Sequence, residues 1–93
     1  MGELWAVQND PESHGEGRFK QPAKTTVKIN GKPVIVKDDD ANGDNAGHSG
    51  NDVRADTTSA TILCYGKKIH RNNDQRYCGA KTIVEGQTKV KCG

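Results

Sequence analysis

The sequence predicts an all-β fold, and three observations carry this prediction. Short runs of β-like sequence recur along the chain, over residues 27–30, 62–65 and 90–93. Turn-forming residues separate these runs, and glycine alone accounts for eleven of the 93 residues. No segment combines an apolar stripe at helical spacing with a capping residue and a stop signal. We therefore expect short strands and tight turns within one domain spanning residues 1–93.

The first element in chain order is a β-hairpin. Val27 and Ile29 share one face of its first strand, Gly31 opens the turn over residues 31–33, and residues 34–36 form the second strand. The same pattern recurs 35 residues later, and a third copy begins near residue 81. Because each unit can bury its apolar face only against the next, these repeats predict a β-helical or solenoid-like body. The matching pairs are Thr26 with Thr61, Val27 with Ile62, Gly31 with Gly66, Lys32 with Lys67, Val34 with Ile69 and Asp39 with Asp74.

The next feature is a set of residues that can bind a metal ion. His14, His48 and Cys78 each have a glycine neighbour and lie 34 and 30 residues apart. A polar stretch and one of the β-like runs follow each of them. They are therefore predicted to hold the same position in three units and to converge on one axis. His70 adds a fourth ligand, and three imidazoles with one thiolate suit a closed tetrahedral zinc site.

The composition indicates that the domain needs such a site. Only 31% of the residues are hydrophobic, and a chain of this length buries a modest core. The three cysteines are an odd number with no secretory signal before them, which favours reduced thiols in a cytosol. Cys64 and Cys92 are interpreted as small core residues, with a disulfide or extra metal ligands as the alternative. A structural zinc contributes about 10 kcal/mol or more to folding in small peptides.

The charge, the hydropathy and the motifs of the sequence argue against several other classes of protein. The formal net charge of +2 is spread along the chain, so nucleic acid is not an expected partner. No apolar run approaches the roughly 20 residues that span a bilayer. Residues 38–43 match the start of a calcium loop, but Ser49 stands where a glutamate is required. A Cys-His nucleophile pair centred on Cys78 has no supporting motif, and a closed metal site leaves no position for a reactive water.

Several fragments, in this order and spacing, resemble the PAAR-repeat proteins that sharpen the tips of contractile injection machines. The fragments are DPESHG at 10–15, TVKINGKP at 26–33, KKIHR at 67–71, CG at 78–79 and IVEG at 83–86. The resemblance implies a small pyramid of short strands and hairpins with pseudo-threefold symmetry. A zinc ion, with iron as the alternative, would be bound near its vertex by His14, His48, His70 and Cys78.

The resemblance also implies a function without catalysis. The chain would cap a trimeric β-helical spike protein, one copy per trimer, and touch the target cell envelope transiently during piercing. It would be made in the bacterial cytoplasm and reside at a phage tail baseplate tip or, second, at a type VI secretion spike tip. The end of the chain at Gly93 favours a tip without cargo. The alternatives are a zinc-stabilised β module that binds nucleic acid or protein, and a cysteine-dependent enzyme.

Overall fold

A computed structural model describes residues 3–59 and 61–92. Six strands of two residues each and one 3-10 turn are the regular elements of these residues. None of them forms a helix long and apolar enough to cross a membrane. The all-β class predicted from the sequence is confirmed. The elements are β1 (Glu3–Leu4), β2 (Lys28–Ile29), β3 (Lys32–Pro33), the 3-10 turn (Gly50–Val53), β4 (Leu63–Cys64), β5 (Lys67–Lys68) and β6 (Lys91–Cys92).

The strands form three antiparallel pairs, and two of these are the predicted hairpins. Strand β2 pairs with β3, and β4 pairs with β5 at the same register 35 residues later. The first hairpin turns at Asn30 and Gly31, which have φ angles of 57° and 80°. Positive φ at both central residues matches the right-handed twist of the flanking strands, and Asn-Gly adopts it readily. The turn therefore lies earlier than the predicted residues 31–33, and the second strand starts at Lys32.

The third pair joins the two ends of the described chain. Strand β1 pairs with β6, with Glu3 opposite Cys92 and Leu4 opposite Lys91. The third unit is therefore completed by the N-terminal strand rather than truncated. This closure turns a linear series of repeats into a cycle.

Backbone contacts between the three units repeat in the same cyclic order. The amide of Ile35 donates to the carbonyl of Ala6 at 2.9 Å, that of His70 donates to Ile35 at 3.0 Å, and that of Ala6 donates to His70 at 2.9 Å. All three residues are fully buried. The units thus enclose a common centre. Three isolated β-bridges around it follow the same order, namely Val7 with Val34, Val36 with Ile69 and Arg71 with Trp5.

An aspartate turn follows the inner strand segment of every unit. In each turn the carboxylate accepts a hydrogen bond from the amide three residues earlier at 2.8–2.9 Å, so a backbone donor is satisfied locally. The residue before each aspartate has a positive φ. Asp39 and Asp74, which match at the 35-residue displacement, belong to this set. The pairs are Asp10 with Val7, Asp39 with Val36 and Asp74 with Arg71.

The apolar core is divided into two small clusters. One cluster consists of Ala6, Phe19, Ile35, Ala41, Val53 and Ala55, and the other of Val7, Val34, Val36 and Ile69. Cys64 is partly buried and packs against the second cluster, as a small hydrophobe does. The predicted core position of the Cys92 side chain lies outside what the structure describes. Polar residues near the metal-capable side chains, among them Glu12, Arg76 and Thr82, are buried as well and share the interior with these clusters.

Candidate metal centre

Three tight glycine turns, residues 12–16, 44–48 and 76–80, build the candidate centre. In each, the amide of the first residue donates to the carbonyl of the fifth, at 3.0, 2.9 and 2.8 Å respectively. The fourth residue of each is a glycine with a φ of 90°, 91° and 90°, a conformation that disfavours any side chain. The same local geometry therefore recurs three times and faces a common point.

The three predicted metal-binding residues do not hold one equivalent position in these turns. His14 and Cys78 both directly precede the glycine of their turn, whereas His48 directly follows Gly47. Ala46 occupies the position that matches His14 and Cys78. The predicted equivalence is therefore wrong for His48, because a residue before the glycine and a residue after it hold different positions in the turn. The spatial convergence of the three side chains does not depend on it.

His14, His48 and Cys78 do lie together, and Asp44 joins them. Each of the four side chains offers one ligand atom, and all four atoms lie within 4.8 Å of one another. Oδ2 of Asp44 is 3.3 Å from Nδ1 of His14, 3.0 Å from Nδ1 of His48 and 3.9 Å from Sγ of Cys78. The two imidazole centroids are 5.1 Å apart. We refer to these four residues as the metal cluster.

The spacing within the metal cluster fits a tetrahedral metal ion. Zinc binds nitrogen and oxygen at about 2.0–2.1 Å, so two such ligand atoms on a tetrahedron are about 3.3 Å apart. A thiolate at about 2.3 Å lies about 3.5 Å from an oxygen ligand. The distances around Asp44 Oδ2 approach these values. The four side chains can therefore hold a metal ion.

Asp44 is held firmly beneath the more exposed ligands. Its Oδ1 accepts hydrogen bonds from the amides of Ala46 at 3.0 Å and His48 at 2.9 Å. Its side chain is fully buried, while those of His14 and His48 are about one-third exposed, at 33% and 34%. The adjacent Glu12 carboxyl group and the hydrogen bonds with His48 and His14 lower the pKa of Asp44. The carboxylate is thus anionic and aimed at the imidazoles.

Sequence reasoning missed Asp44, although a local signal exists. Asp44 lies four residues before His48 and opens the same glycine turn, so a short turn brings the two side chains together. The predicted ligand set contained only histidine and cysteine. A carboxylate is also an ordinary zinc ligand, which the spacing from His48 and Gly47 could have indicated.

A second carboxyl group and a guanidinium lie below the cluster. Glu12 and Arg76 open the other two glycine turns, their side chains are fully buried, and Nη1 of Arg76 lies 3.4 Å from Oε2 of Glu12. Burial, followed by the adjacent Asp44 carboxyl group, raises the pKa of Glu12 to about 8. Burial lowers the pKa of Arg76 to about 10. Three ionisable residues at equivalent turn positions, Glu12, Asp44 and Arg76, therefore lie in the interior close to the cluster.

Cys78 is positioned by the backbone of a neighbouring segment. Its amide donates to the carbonyl of Asp52 at 2.7 Å. Burial raises the pKa of the Cys78 thiol, and the nearby Glu12 and Asp44 carboxyl groups add to that rise. A nucleophilic cysteine needs a lowered pKa. In this environment a bound cation is what would favour the thiolate.

His70, the fourth predicted ligand, lies outside the metal cluster. It belongs to the inner backbone ring with Ala6 and Ile35 and is fully buried. Its Nδ1 is 2.7 Å from the carbonyl of Thr57 and its Nε2 is 2.7 Å from Oγ1 of Thr82, so both ring nitrogens are engaged. We therefore replace His70 by Asp44 in the ligand set.

The acidic side chains of residues 38–43, which resemble the start of a calcium loop, contact other groups of the protein. The Asp39 carboxylate turns inward to the amide of Val36 at 2.8 Å. Asp40 pairs with Lys20 at 3.6 Å and with Arg54 at 3.7 Å. These oxygens point to different partners, so the run provides no converging calcium ligands.

Comparison with protein-family models and with curated proteins finds no match to this chain. The fold and the metal cluster are therefore interpreted from their own geometry.

Proposed function

We propose that this protein is the metal-stapled tip of a membrane-piercing spike in a contractile injection machine. A phage tail baseplate is the first candidate location and a type VI secretion spike the second. In this proposal the chain is a PAAR-like pyramid that caps a trimeric β-helical spike, one copy per trimer, and reaches the target cell envelope briefly. The protein acts mechanically and catalyses no reaction.

The observation that carries this proposal is the cyclic repeat within a single chain. Three strand pairs, three inner residues and three glycine turns follow one another in the same order around a common centre. A single chain with three similar units can present similar contacts to each subunit of a homotrimer. A repeat built only for stacking along a line would not need its first and last strands to pair.

In this proposal the metal cluster supplies folding stability that the small apolar core does not provide. Its ligands come from all three glycine turns, so a bound zinc ion, or iron in its place, would cross-link turns that are distant in sequence. Because metal binding requires the folded arrangement, its free energy adds to folding stability. Such a cross-link resists local opening of the turns when the tip is loaded mechanically.

The exposed surface gives no specific support to the nucleic-acid alternative. Among the described residues, the exposed large apolar or aromatic side chains are Val27, Leu63, Tyr77 and Ile83. Tyr77, the aromatic one, donates a 2.5 Å hydrogen bond to the carboxylate of Asp38. A stacking platform for bases would combine several aromatics with cations. Structural capping is therefore the function that we propose.

The direct test is reconstitution with the trimeric β-helical spike protein encoded by the same genome. The purified chains are mixed, and the mass of the complex is measured by light scattering after gel filtration. We expect one copy of this chain per spike trimer. Leu63 is 60% exposed on a strand pair, so Leu63→Asp probes that surface while the buried core stays intact. Failure of the native chain to bind any such trimer at micromolar concentration would refute the proposal.

A further inference from the structure

We propose that Glu12 is a fifth donor of the metal centre, with its Oε1 atom binding the ion together with His14, Asp44, His48 and Cys78. This inference rests on the metal site of the proposed function and extends its ligand set. It assigns to the site two nitrogens, one sulfur and two carboxylate oxygens. The ion would then be five-coordinate rather than tetrahedral.

The first observation is that Oε1 of Glu12 is buried without a hydrogen-bond partner. Nδ1 of His14, a member of the metal cluster, lies 3.6 Å from this oxygen, which is too long for a hydrogen bond. A buried polar atom without a partner costs about 1–3 kcal/mol. A cation at the cluster would give this oxygen a partner.

The second observation is that two buried carboxyl groups approach the same imidazole nitrogen: Nδ1 of His14 lies 3.6 Å from Oε1 of Glu12 and 3.3 Å from Oδ2 of Asp44. Two buried carboxylates repel each other, which favours either a proton on one of them or a cation close to both. Nη1 of Arg76 lies 3.4 Å from the other oxygen, Oε2, of Glu12 and so leaves Oε1 available. A divalent ion together with the Arg76 guanidinium balances the three anionic donors, Glu12, Asp44 and Cys78, in this buried region.

The third observation is that the Glu12 carboxyl group has no room to turn away. A Cβ atom on Gly17 would lie 2.6 Å from the Glu12 Cδ atom, so the backbone of Gly17 packs directly against the carboxyl group. Arg76 donates to the carbonyl of Gly17 at 2.7 Å and thereby fixes this backbone. The orientation of Oε1 towards the cluster is therefore enforced by packing.

Cobalt(II) is a suitable probe, because its visible bands are less intense in five-coordinate sites than in tetrahedral ones. Metal-stripped native protein is titrated with cobalt, and the absorption spectrum and dissociation constant are recorded. X-ray absorption of the cobalt-loaded native chain counts the ligands independently. We expect five donors including one sulfur, and weak visible bands.

The Glu12→Gln variant should bind cobalt at least about tenfold more weakly. It should also give the intense spectrum of a tetrahedral site. Glu16→Gln is the matched control, since Glu16 lies in the same loop but is 58% exposed and pairs with Arg18. It should behave like the native chain.

Four donors in the native chain, with unchanged affinity and spectrum in Glu12→Gln, would overturn the inference but leave the metal site intact. If the native chain binds no cobalt, the metal site of the proposed function fails as well, and the two failures are therefore distinguishable. If Glu12→Gln does not fold, the ligand count of the native chain decides the question alone.

Discussion

Replacement of Arg76 by methionine should come close to unfolding this domain. The guanidinium donates to the carbonyl of Gly17 at 2.7 Å, to that of Val53 at 3.1 Å and, through Nε, to Oγ1 of Thr82 at 2.7 Å. It also lies 3.4 Å from Oε2 of Glu12. Methionine keeps the length and the apolar stem but leaves these oxygens without a donor.

The loss of these contacts determines how far Arg76→Met lowers the free energy of unfolding. Each buried carbonyl that loses its donor costs about 1–3 kcal/mol. Loss of one partner of a buried ion pair costs about 3–5 kcal/mol. For two carbonyls and the Glu12 pair, the lower limits together give about 5 kcal/mol. This equals the lower end of the free energy of unfolding of a typical domain, about 5–15 kcal/mol.

The assays are urea unfolding and a thermal melt, both followed by the fluorescence of Trp5, the only tryptophan of the chain. Unfolding is measured with excess chelator and, separately, with excess zinc, so that metal binding is distinguished from packing. We expect the melting temperature of Arg76→Met to fall by at least about 20 °C. Arg54→Met is the control, because Arg54 is 41% exposed and its pair with Asp40 is worth about 1 kcal/mol or less. A loss below about 2 kcal/mol for Arg76→Met would show that these buried contacts are not required for folding.

Three further changes test the centre, the inner ring and the turns. Zinc at about 1,000 times its dissociation constant should stabilise the native chain by about 4 kcal/mol, because it binds only the folded state, and His48→Ala should abolish this gain in a thermal melt. The pKa of His70 is lowered to about 4 by burial, so NMR should show a neutral ring down to about pH 5. The unfolded chain takes up this proton near pH 6.5, so the His70 contribution to stability should fall as the pH drops from about 6.5 to about 4. Gly31→Ala should cost about 1–2 kcal/mol in urea unfolding, since φ is 80° and a Cβ atom meets nothing within 4 Å. Gly17→Ala should cost more, because its Cβ atom would collide with Glu12.

Each of these predictions would be contradicted by a specific result. Equal zinc stabilisation of the native chain and His48→Ala would remove His48 from the ligand set. Titration of the His70 ring near pH 6.5 would mean that it is exposed to water. Equal losses for Gly31→Ala and Gly17→Ala would show that contact with Glu12 adds nothing to the backbone strain.

Local sequence was sufficient to predict the all-β class and the two hairpins. Asn30 and Gly31 favour a two-residue turn, and the 35-residue displacement places Tyr65 and Gly66 in the same conformation. These signals depend on neighbouring residues only, so they can be read without a partner segment. The turn was misplaced because Pro33 was interpreted as a turn residue, whereas it lies in a strand.

Sequence order alone did not reveal how the three units close into a cycle. The pairing of β1 with β6 joins residues about ninety positions apart and has no local signature. The same closure fixes the inner ring in which His70 lies beside Ala6 and Ile35. A histidine at that position points into the interior, where two oxygen atoms hold its ring nitrogens.

The sequence by itself determined the strand class, the turn chemistry and three of the four residues of the metal cluster, His14, His48 and Cys78. Tertiary structure decided that Asp44 completes the cluster and that His70 does not belong to it. The physical reason is that residue type and spacing set which side chains can bind a metal, whereas side-chain direction is set by packing. Only the closed cycle of three units orients the glycine turns towards one point.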